Sequence, residues 1–183
     1  MTVLDTTLTA TDWDVVVAGF PDANVYQTSG WAEAKGRRTS ARRVVLRDGG
    51  QPTAAAQALI RRLATGVAVA TVPYGPLLAA QHRHDMDVAD RVLACIEDEA
   101  RREGCAAILV QPSRHDTVTE SVLERRGFRR APVDVGTSAT LELELGRPDE
   151  ELFAQLTKSR RNKVRRSERR GVVVEQGGEA DLD

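Results

Sequence analysis

The pattern of apolar and polar residues predicts two short helices at the start of the chain. The segment TDWDVVVAGF opens with capping-type residues and ends its helix at Gly19, before Pro21. TSGWAEAKGRR predicts a second helix that starts near Thr28 or Ser29 and stops near Gly36. The first strand is therefore expected only after both helices.

Three β-prone runs follow and predict a three-stranded antiparallel meander. The first two lie within ARRVVLRDGGQPTAAAQALIRRL and flank DGG, whose residues tolerate positive φ and favour a hairpin turn. The third run, GVAVATVPYGPLL, ends its strand at Pro73.

A well-defined helix is predicted next, because apolar residues recur at spacings of three and four and Gly104 can close the helix. The apolar positions are Val88, Val92, Leu93, Ile96 and Ala100. CAAILVQP then predicts a strand buried on both faces, and TVTESVLERRGF a helix closed at Gly127. TLELEL alternates Leu and Glu, which predicts a strand with one solvent-exposed face.

One long helix is predicted near the end of the chain. Pro148 suits the first helical position, the acidic residues after it complement the positive end of the helix dipole, and Gly171 closes the helix. VVVEQ predicts one more strand. This order of elements resembles the GNAT-type acyltransferase fold, an α/β (α+β) domain with a mixed, mostly antiparallel sheet flanked by helices. We expect that domain over residues 1–146, and over 147–183 a basic connecting helix and the start of a second, missing GNAT-like half.

Composition changes this picture little. The 183 residues are 41% apolar, enough for a core, and contain no run of eighteen apolar residues. The polar, acidic N-terminus lacks the features of a signal peptide, so we expect a cytoplasmic protein. Cys95 and Cys105 are not in a CxxC spacing and are interpreted as buried thiols.

Charge is strongly polarised along the chain. The formal net charge is −1, but the segment KSRRNKVRRSERR alone carries eight cations and one acid, or +7, which leaves −8 elsewhere. Three interpretations remain open: binding of a polyanion (tRNA, a nucleotide diphosphate or anionic lipid), ion pairing with another domain, or a solvated helix face. At helical spacings of three and four, the polyanion-binding candidates are Lys158, Arg161, Arg165 and Arg169.

The sequence argues against acetyl-CoA as a cofactor. GNAT enzymes hold the CoA pyrophosphate with backbone N–H groups of a glycine-rich loop between a strand and the next helix. Here that junction reads TVPYGPLLAAQHRHDM, in which Pro73 and Pro76 have no N–H to donate and Gly75 is the only glycine. We therefore expect no cofactor.

Other candidate chemistry is weak. His82 and His84, with Asp85 next to them, lie in a polar loop that offers no rigid third ligand, so no metal site is predicted. Ser, His and Asp in QPSRHDT are too close in one loop for triad geometry and are expected to form a turn and a helix cap. His115 of that loop remains a minor candidate for a cleft residue.

Four segments resemble the Fem family (FemA, FemB and FemX type) of peptidoglycan aminoacyltransferases, in the family's order: YQTSGWAEAKG, VPYGPLL, ERRGF and LTKSRRNKVRRSERRGVVV. The resemblance implies two GNAT-like halves that transfer an amino acid from aminoacyl-tRNA to an amine of a nucleotide- or lipid-linked peptidoglycan precursor, without CoA. Peripheral contact with the inner membrane face is a further expectation. This chain is long enough for the first half, so it is expected to need the missing C-terminal half for turnover.

The same resemblance suggests site residues. Lys35 matches a lysine that faces the precursor diphosphate, four residues after Trp31, while Tyr74 and Gly75 belong to the YGP motif that lines the precursor site. The alternatives are a core Trp31 with a solvated Lys35, and a Tyr74 that serves only the turn. Ala79 stands where the family has an acidic residue, so an amine acceptor other than the usual precursor is a second possibility and no acid/base role is assigned there.

Catalytic residues are not assigned. Two rival functions remain open at this stage: a GNAT-like acetyltransferase that uses acetyl-CoA, and a non-enzymatic basic module that binds nucleic acid or membrane.

Overall fold

The computed structural model describes residues 3–5, 8–64, 66–113, 116–132 and 143–178. It divides into two compact units, Met1–Thr137 and Ser138–Asp183. The two units are described separately below.

The first unit is built on one mixed sheet, as the sequence predicted. Its strands run in the order β1-β2-β3-β4-β6, with β5 paired to β3; β4 and β6 are parallel and all other pairs are antiparallel. The bounds are β1 (Val3–Asp5), β2 (Thr39–Asp48), β3 (Gln51–Arg62), β4 (Ala68–Pro73), β5 (Leu77–Leu78) and β6 (Cys105–Gln111).

The predicted meander is confirmed. Strands β2 and β3 form a hairpin in which Asp48 pairs with Gln51 across Gly49 and Gly50. Both glycines have positive φ, 54° and 83°, which is the conformation that a tight two-residue turn requires. Strand β4 then pairs antiparallel to β3 and ends at Pro73.

Four helices flank this sheet: α1 (Ala10–Ala18), α2 (Ser29–Ala34), α3 (Met86–Arg102) and α4 (Thr117–Arg125). All four were predicted, and α4 begins at the expected cap, where the Asp116 carboxylate accepts a hydrogen bond from the Thr119 N–H. The prediction that no strand precedes the helices was wrong. Strand β1 has only three residues and takes its register from β2, so it leaves no readable alternation in the sequence.

The core lies on both faces of the sheet. Eight consecutive residues of β3, from Thr53 to Ile60, are buried, which is typical of a central strand covered on both sides. Because side chains alternate along a strand, Ala54 and Ala56 face the cluster that includes α3 and α4. Ala55 belongs to the opposite cluster, which is centred on the fully buried Trp13 of α1.

Strand β6 differs from its prediction as a doubly buried strand. Ala106 and Ala107 are exposed and the rest of the strand is only partly buried. Among the described residues β6 pairs with β4 alone, so one edge carries no neighbouring strand. The thiols of Cys95 and Cys105 are free and half-buried rather than fully buried, and burial raises the pKa of both.

The strand predicted at TLELEL falls largely outside the described residues. Its last part, residues 143–145, is described and has no strand structure, and Leu143 and Leu145 are exposed.

The second unit contains two helices where one was predicted. Helix α5 (Asp149–Gln155) starts after Pro148, which caps the helix rather than occupying its first turn, and α6 (Lys158–Arg169) follows. Thr157 separates them, because its extended backbone (φ −58°, ψ 151°) breaks the helix and its hydroxyl accepts from the Arg160 N–H.

The strand predicted at VVVEQ is absent from this unit. Residues 172–178 have no regular structure, and Val172, Val173 and Val174 are exposed. A single extended segment needs a neighbouring strand to satisfy its backbone groups, and the described residues of the second unit provide none. No helix among the described residues is long and apolar enough to cross a membrane.

Candidate functional site

Four side chains form a continuous stack beside the end of β4. The Tyr74 ring stacks on Tyr26 with centroids 4.5 Å apart and an interplanar angle of 22°. Tyr26 meets Trp31 edge-on at 4.6 Å and 73°. The Lys35 ammonium lies 4.1 Å from the centroid of the Trp31 ring. We call these four residues the aromatic–lysine ladder.

The ladder brings together three of the candidate substrate-binding residues, Trp31, Lys35 and Tyr74. Trp31 and Lys35 are four residues apart at the end of α2, so helical geometry places them on one side. The Trp31 indole is only partly buried and is not among the residues of either core cluster. Lys35 is exposed, with its ammonium held over the ring.

Tyr26 is the residue that sequence reasoning missed. It lies in a 3-10 turn (Val25–Gln27) directly before α2 and links the two motifs by touching both Trp31 and Tyr74. The available signal was its place as the first residue of YQTSGW, but a lone aromatic before a helix says nothing about a partner 48 positions further along the chain.

A buried glutamine fixes the loop that carries Tyr74. The Gln27 side chain is fully buried, and its Nε2 donates to the Pro73 carbonyl at 2.7 Å. Its Oε1 accepts from the backbone N–H of Gln57 in β3, also at 2.7 Å. The Trp13 indole N–H donates to the Gln27 carbonyl at 2.7 Å. The loop is therefore tied to the central strand and to the core.

Tyr74 itself has an uncommon backbone conformation. Its φ of 49° lies in the left-handed region, which costs a non-glycine residue on the order of 1–3 kcal/mol and persists only where surrounding contacts offset that cost. Asn24 donates to the Tyr74 carbonyl at 3.0 Å, and the Gly75 N–H donates to the Gln111 carbonyl at 3.2 Å. The following Gly75–Pro76 bond is cis. The two hydrogen bonds fix the backbone on the carboxyl side of the Tyr74 ring.

Polar contacts also fix the start of α2. The Asp14 carboxylate accepts from the Ser29 N–H at 2.7 Å and from the Ser29 hydroxyl at 2.5 Å. Gln57 donates to the Thr28 carbonyl and accepts from Arg43. Burial lowers the pKa of Arg43, and the nearby carboxylates of Asp14 and Glu33 act in the opposite direction. The ladder is thus supported by fixed elements on both sides.

An aspartate side chain of the protein caps the N-terminus of α3. The Asp85 carboxylate accepts from the N–H groups of Asp87 and Val88, each at 3.1 Å, and lies 3.1 Å from Nδ1 of His82. The hydrogen bond from Val88 and the one from His82 lower the pKa of Asp85. These amides, which could otherwise bind a phosphate, are occupied by a side chain of the protein.

Other candidates are placed as follows. Ala79 is buried in the core cluster around Trp13, and its N–H donates to the Thr53 carbonyl. No group of three potential metal ligands occurs among the described residues, and His84 is exposed. His115 lies outside the described residues.

The basic stripe predicted along α6 is partly engaged in contacts within the second unit. Arg161 Nη1 donates to the carbonyls of Ala154 and Leu156, at the end of α5. The Arg165 guanidinium lies 5.4 Å from the Phe153 ring centroid, and Arg169 donates to the Arg165 carbonyl at 3.2 Å. Among the described residues, Lys158 makes no side-chain hydrogen bond or ion pair. Phosphate binding by these four residues stays a prediction.

Comparison with known proteins identifies the fold. No protein-family model and no curated protein matches the chain. Among solved structures, FemX superposes with a TM-score of 0.74 at 20% identity. An acetyltransferase of Trypanosoma brucei gives 0.55 at 16% identity, and the ribosomal-protein-alanine N-acetyltransferase of Brucella melitensis gives 0.52 at 13%.

The coverage of these matches differs. The comparison with FemX covers 97% of this chain but only 46% of FemX, so the chain spans about half the length of that protein. The alignments with the two acetyltransferases cover 78% of this chain and 99–100% of each acetyltransferase. The first unit therefore has the GNAT-type acyltransferase fold that the order of elements predicted.

Proposed function

We propose that this chain is the first, GNAT-like half of a Fem-like transferase that moves an amino acid from aminoacyl-tRNA to an amine of a peptidoglycan precursor peptide. The observation that carries the proposal is the aromatic–lysine ladder. It joins Lys35 to Tyr74, and the Fem resemblance assigns precursor binding to both motifs. The extent of the similarity to FemX, 97% of this chain, is consistent with it.

The chemistry of the ladder suits a phosphate-bearing ligand. Lys35 supplies one exposed positive charge, and its position over Trp31 limits where that charge can lie. The Tyr74 hydroxyl can donate to a phosphate oxygen or a peptide carbonyl. Fixed side chains reduce the entropy lost on binding, and the contacts of Gln27 and Asn24 provide that rigidity.

Two features favour an acyl donor other than acetyl-CoA, although acetyltransferases share the fold. Pro73 and Pro76 lack N–H groups between β4 and α3. At the start of α3, the Asp85 carboxylate occupies the amides of Asp87 and Val88 and would repel a pyrophosphate. We propose that the acyl group arrives on tRNA and that no cofactor is used.

The proposed reaction is aminolysis of an ester. The acceptor amine attacks the ester carbonyl carbon of aminoacyl-tRNA, and the tetrahedral oxyanion collapses with loss of the terminal ribose hydroxyl, which receives a proton released by the amine. An amide bond forms and an ester bond breaks. Holding the two substrates together can contribute on the order of 7–11 kcal/mol to such a step. Ladder residues would bind and orient the acceptor.

Two finer points follow from the same proposal. Ala79 is a core residue here, so the acidic group that the Fem resemblance expects near the YGP loop is missing, and an amine acceptor other than the usual precursor fits this site equally well. Use of aminoacyl-tRNA implies a cytoplasmic protein, with peripheral contact to the inner membrane face if the precursor is lipid-linked.

The test uses the full-length gene product with charged tRNA and a nucleotide-linked precursor. We expect transfer of the labelled amino acid, and in Lys35→Ala and Tyr74→Ala we expect KM for the precursor to rise about 10–100-fold, as for loss of a hydrogen bond to a charged group. Arg61→Ala, which removes an exposed cation elsewhere on the sheet, is the control and should leave KM unchanged.

Two outcomes would count against the proposal. Turnover of acetyl-CoA without aminoacyl transfer would support the acetyltransferase alternative. If charge reversal at Arg161 and Arg165 abolished ligand binding while the Lys35 and Tyr74 variants behaved like the wild type, a non-enzymatic basic module would explain the protein better.

A further inference from the structure

Six of the eight cations of α6 and its C-cap Arg170 form two sets that differ in what they contact. Arg161 and Arg165 contact α5, through the Ala154 and Leu156 carbonyls and the Phe153 ring. A second set follows spacings of three, three and four along another side of the same helix. It consists of Arg160, Lys163, Arg166 and Arg170, and we call it the outer basic face.

Among the described residues, no acidic side chain pairs with the outer basic face. Lys163, Arg166 and Arg170 are exposed, and their side chains make no hydrogen bond or ion pair to any other described residue. Glu168 is the only acid of α6, and at helical spacings of three and four its neighbours are Arg165 and Val164, not the outer basic face. Repulsion among these cations is therefore uncompensated within the described part of the second unit.

We propose that the outer basic face binds the phosphate backbone of double-helical RNA, the stem of the aminoacyl-tRNA donor. This inference rests on the proposed function for the identity of the donor, but it assigns RNA contact to residues other than the predicted stripe. Residues engaged with α5 would have to break those contacts to meet a phosphate, whereas Lys163, Arg166 and Arg170 are available as they stand.

The lack of an apolar side on α6 favours RNA over a lipid surface. A helix that lies on a membrane needs an apolar side to insert, and Val164 is the only large apolar residue in α6. Val164 is 39% exposed and does not lie on the outer basic face. Arginine, which dominates this face, forms paired hydrogen bonds with phosphate oxygens.

The same composition favours a duplex over a single strand. Single-strand binding relies on aromatic rings that stack on bases, and Phe153, the one aromatic residue in 143–178, is already in contact with Arg165. Contacts with a duplex need only cations at suitable spacing, because double-stranded RNA is recognised mainly by its shape and phosphates. From Arg160 to Arg170 the helix rises about 15 Å.

The experiment measures binding of the full chain to a fluorescein-labelled RNA hairpin with an uninterrupted stem, by fluorescence anisotropy over a range of salt concentrations. The test variant is Lys163→Gln/Arg166→Gln/Arg170→Gln. The control, Arg38→Gln/Arg61→Gln/Arg129→Gln, makes the same change in net charge at exposed cations of the first unit. Far-UV circular dichroism checks that both variants retain their helices, which Gln favours.

We expect the test variant to lower the slope of log K against log salt concentration by about 2–3 and to weaken binding at least about tenfold, because three phosphate contacts are lost. The control should keep the wild-type slope to within about one. An unchanged slope in the test variant would overturn the inference. Equal binding to an unpaired RNA of the same length would refute the duplex, and binding to phosphatidylglycerol vesicles without binding to RNA would replace RNA by a membrane.

The result separates this inference from the proposed function. One outcome is that the test variant loses RNA binding, the control variant keeps it, and the full-length gene product transfers no aminoacyl group. In that case the inference about the outer basic face stands and the proposed function fails. If the full-length gene product transfers the aminoacyl group and the test variant binds RNA like the wild type, the proposed function stands and this inference is wrong.

Discussion

At the scale of single residues, the least replaceable position in the ladder region is Gly75. A Cβ at Gly75 would lie 2.8 Å from Nε2 and 3.0 Å from Cδ of Gln27. Moving the Gln27 amide would break its hydrogen bonds to the Pro73 carbonyl and the Gln57 N–H, and would leave the fully buried Gln27 side chain without these partners. The close approach of Gly75, rather than its flexibility, therefore explains why glycine is required in the YGP loop.

We predict that Gly75→Ala lowers the free energy of unfolding by about 1–3 kcal/mol, because a buried hydrogen-bonded amide is displaced or left unpaired. Gly30→Ala is the matched control. No atom lies within 4 Å of a Cβ at Gly30, which is in α2, so this change should be neutral or stabilising by up to about 1 kcal/mol. Urea unfolding of both variants tests the pair, and equal stability would contradict the proposed role of the Gln27 contact.

At the scale of elements, sequence patterns predicted well wherever one chain segment determines its own structure. Helix α3 has its apolar face, its Asp85 cap and Gly104 at its end all within twenty residues, and the hairpin needed only its two glycines. The break at Thr157 was missed because a threonine within a run of helix formers is equally compatible with a continuous helix. The break can be recognised only in the folded structure, where the Arg161 side chain donates to the Ala154 carbonyl near the end of α5.

The cap of α3 gives a pH-dependent prediction. The pKa of Asp85 is lower in the folded protein than in the unfolded chain, so the ionised carboxylate stabilises the fold above the unfolded value of about 3.9, and this contribution is lost as pH falls through the lower folded pKa. Asp85→Asn keeps a capping oxygen without the charge. We expect it to be less stable than the wild type at pH 7 by about 0.3–1 kcal/mol.

The difference should shrink towards zero in acid, where the wild-type carboxyl is also neutral. Urea unfolding at pH 7 and over a series of lower pH values that passes below the lowered folded pKa of Asp85 measures it. Asp87→Asn removes an equal charge from the same turn without breaking a hydrogen bond to the helix amides, so it should have the smaller effect at pH 7. A difference for Asp85→Asn that persisted in acid would show that the cap acts through geometry rather than charge.

The candidate site was predictable in its parts but not in its connection. Lys35 and Trp31 could be paired from helical spacing alone, and the YGP loop stood out through its two prolines. The stacking of Tyr26 on Tyr74 depends on Gln27 reaching from one motif to Pro73 in the other, which is a tertiary contact. Buried polar bridges of this kind leave no periodic signal in a single sequence.

At the scale of the whole molecule, stability and charge are divided between the two units. All the buried apolar side chains among the described residues, from Trp13 to Leu123, lie in the first unit. The described residues of the second unit include none, and α6 together with its C-cap Arg170 carries the basic segment of +7. Burial of apolar surface is the main favourable term in folding, so the first unit should hold nearly all of the conformational stability.

This division predicts that a chain of residues 1–137 unfolds much like the full chain. Both tryptophans, Trp13 and Trp31, belong to the first unit, so fluorescence follows its unfolding directly. We expect a single cooperative transition with a free energy within about 1 kcal/mol of the full-length value, since none of the described residues after 137 has a buried apolar side chain. The m-value should fall only slightly, because it scales with the surface exposed on unfolding.

A chain of residues 1–111 is the control: it also loses α4, whose Val122 and Leu123 are buried in the core, and it should be destabilised by several kcal/mol or fail to fold. If the 1–137 chain instead loses cooperativity or its urea midpoint drops as far as that of the 1–111 chain, residues 138–183 contribute to the core and the two units are not independent in stability.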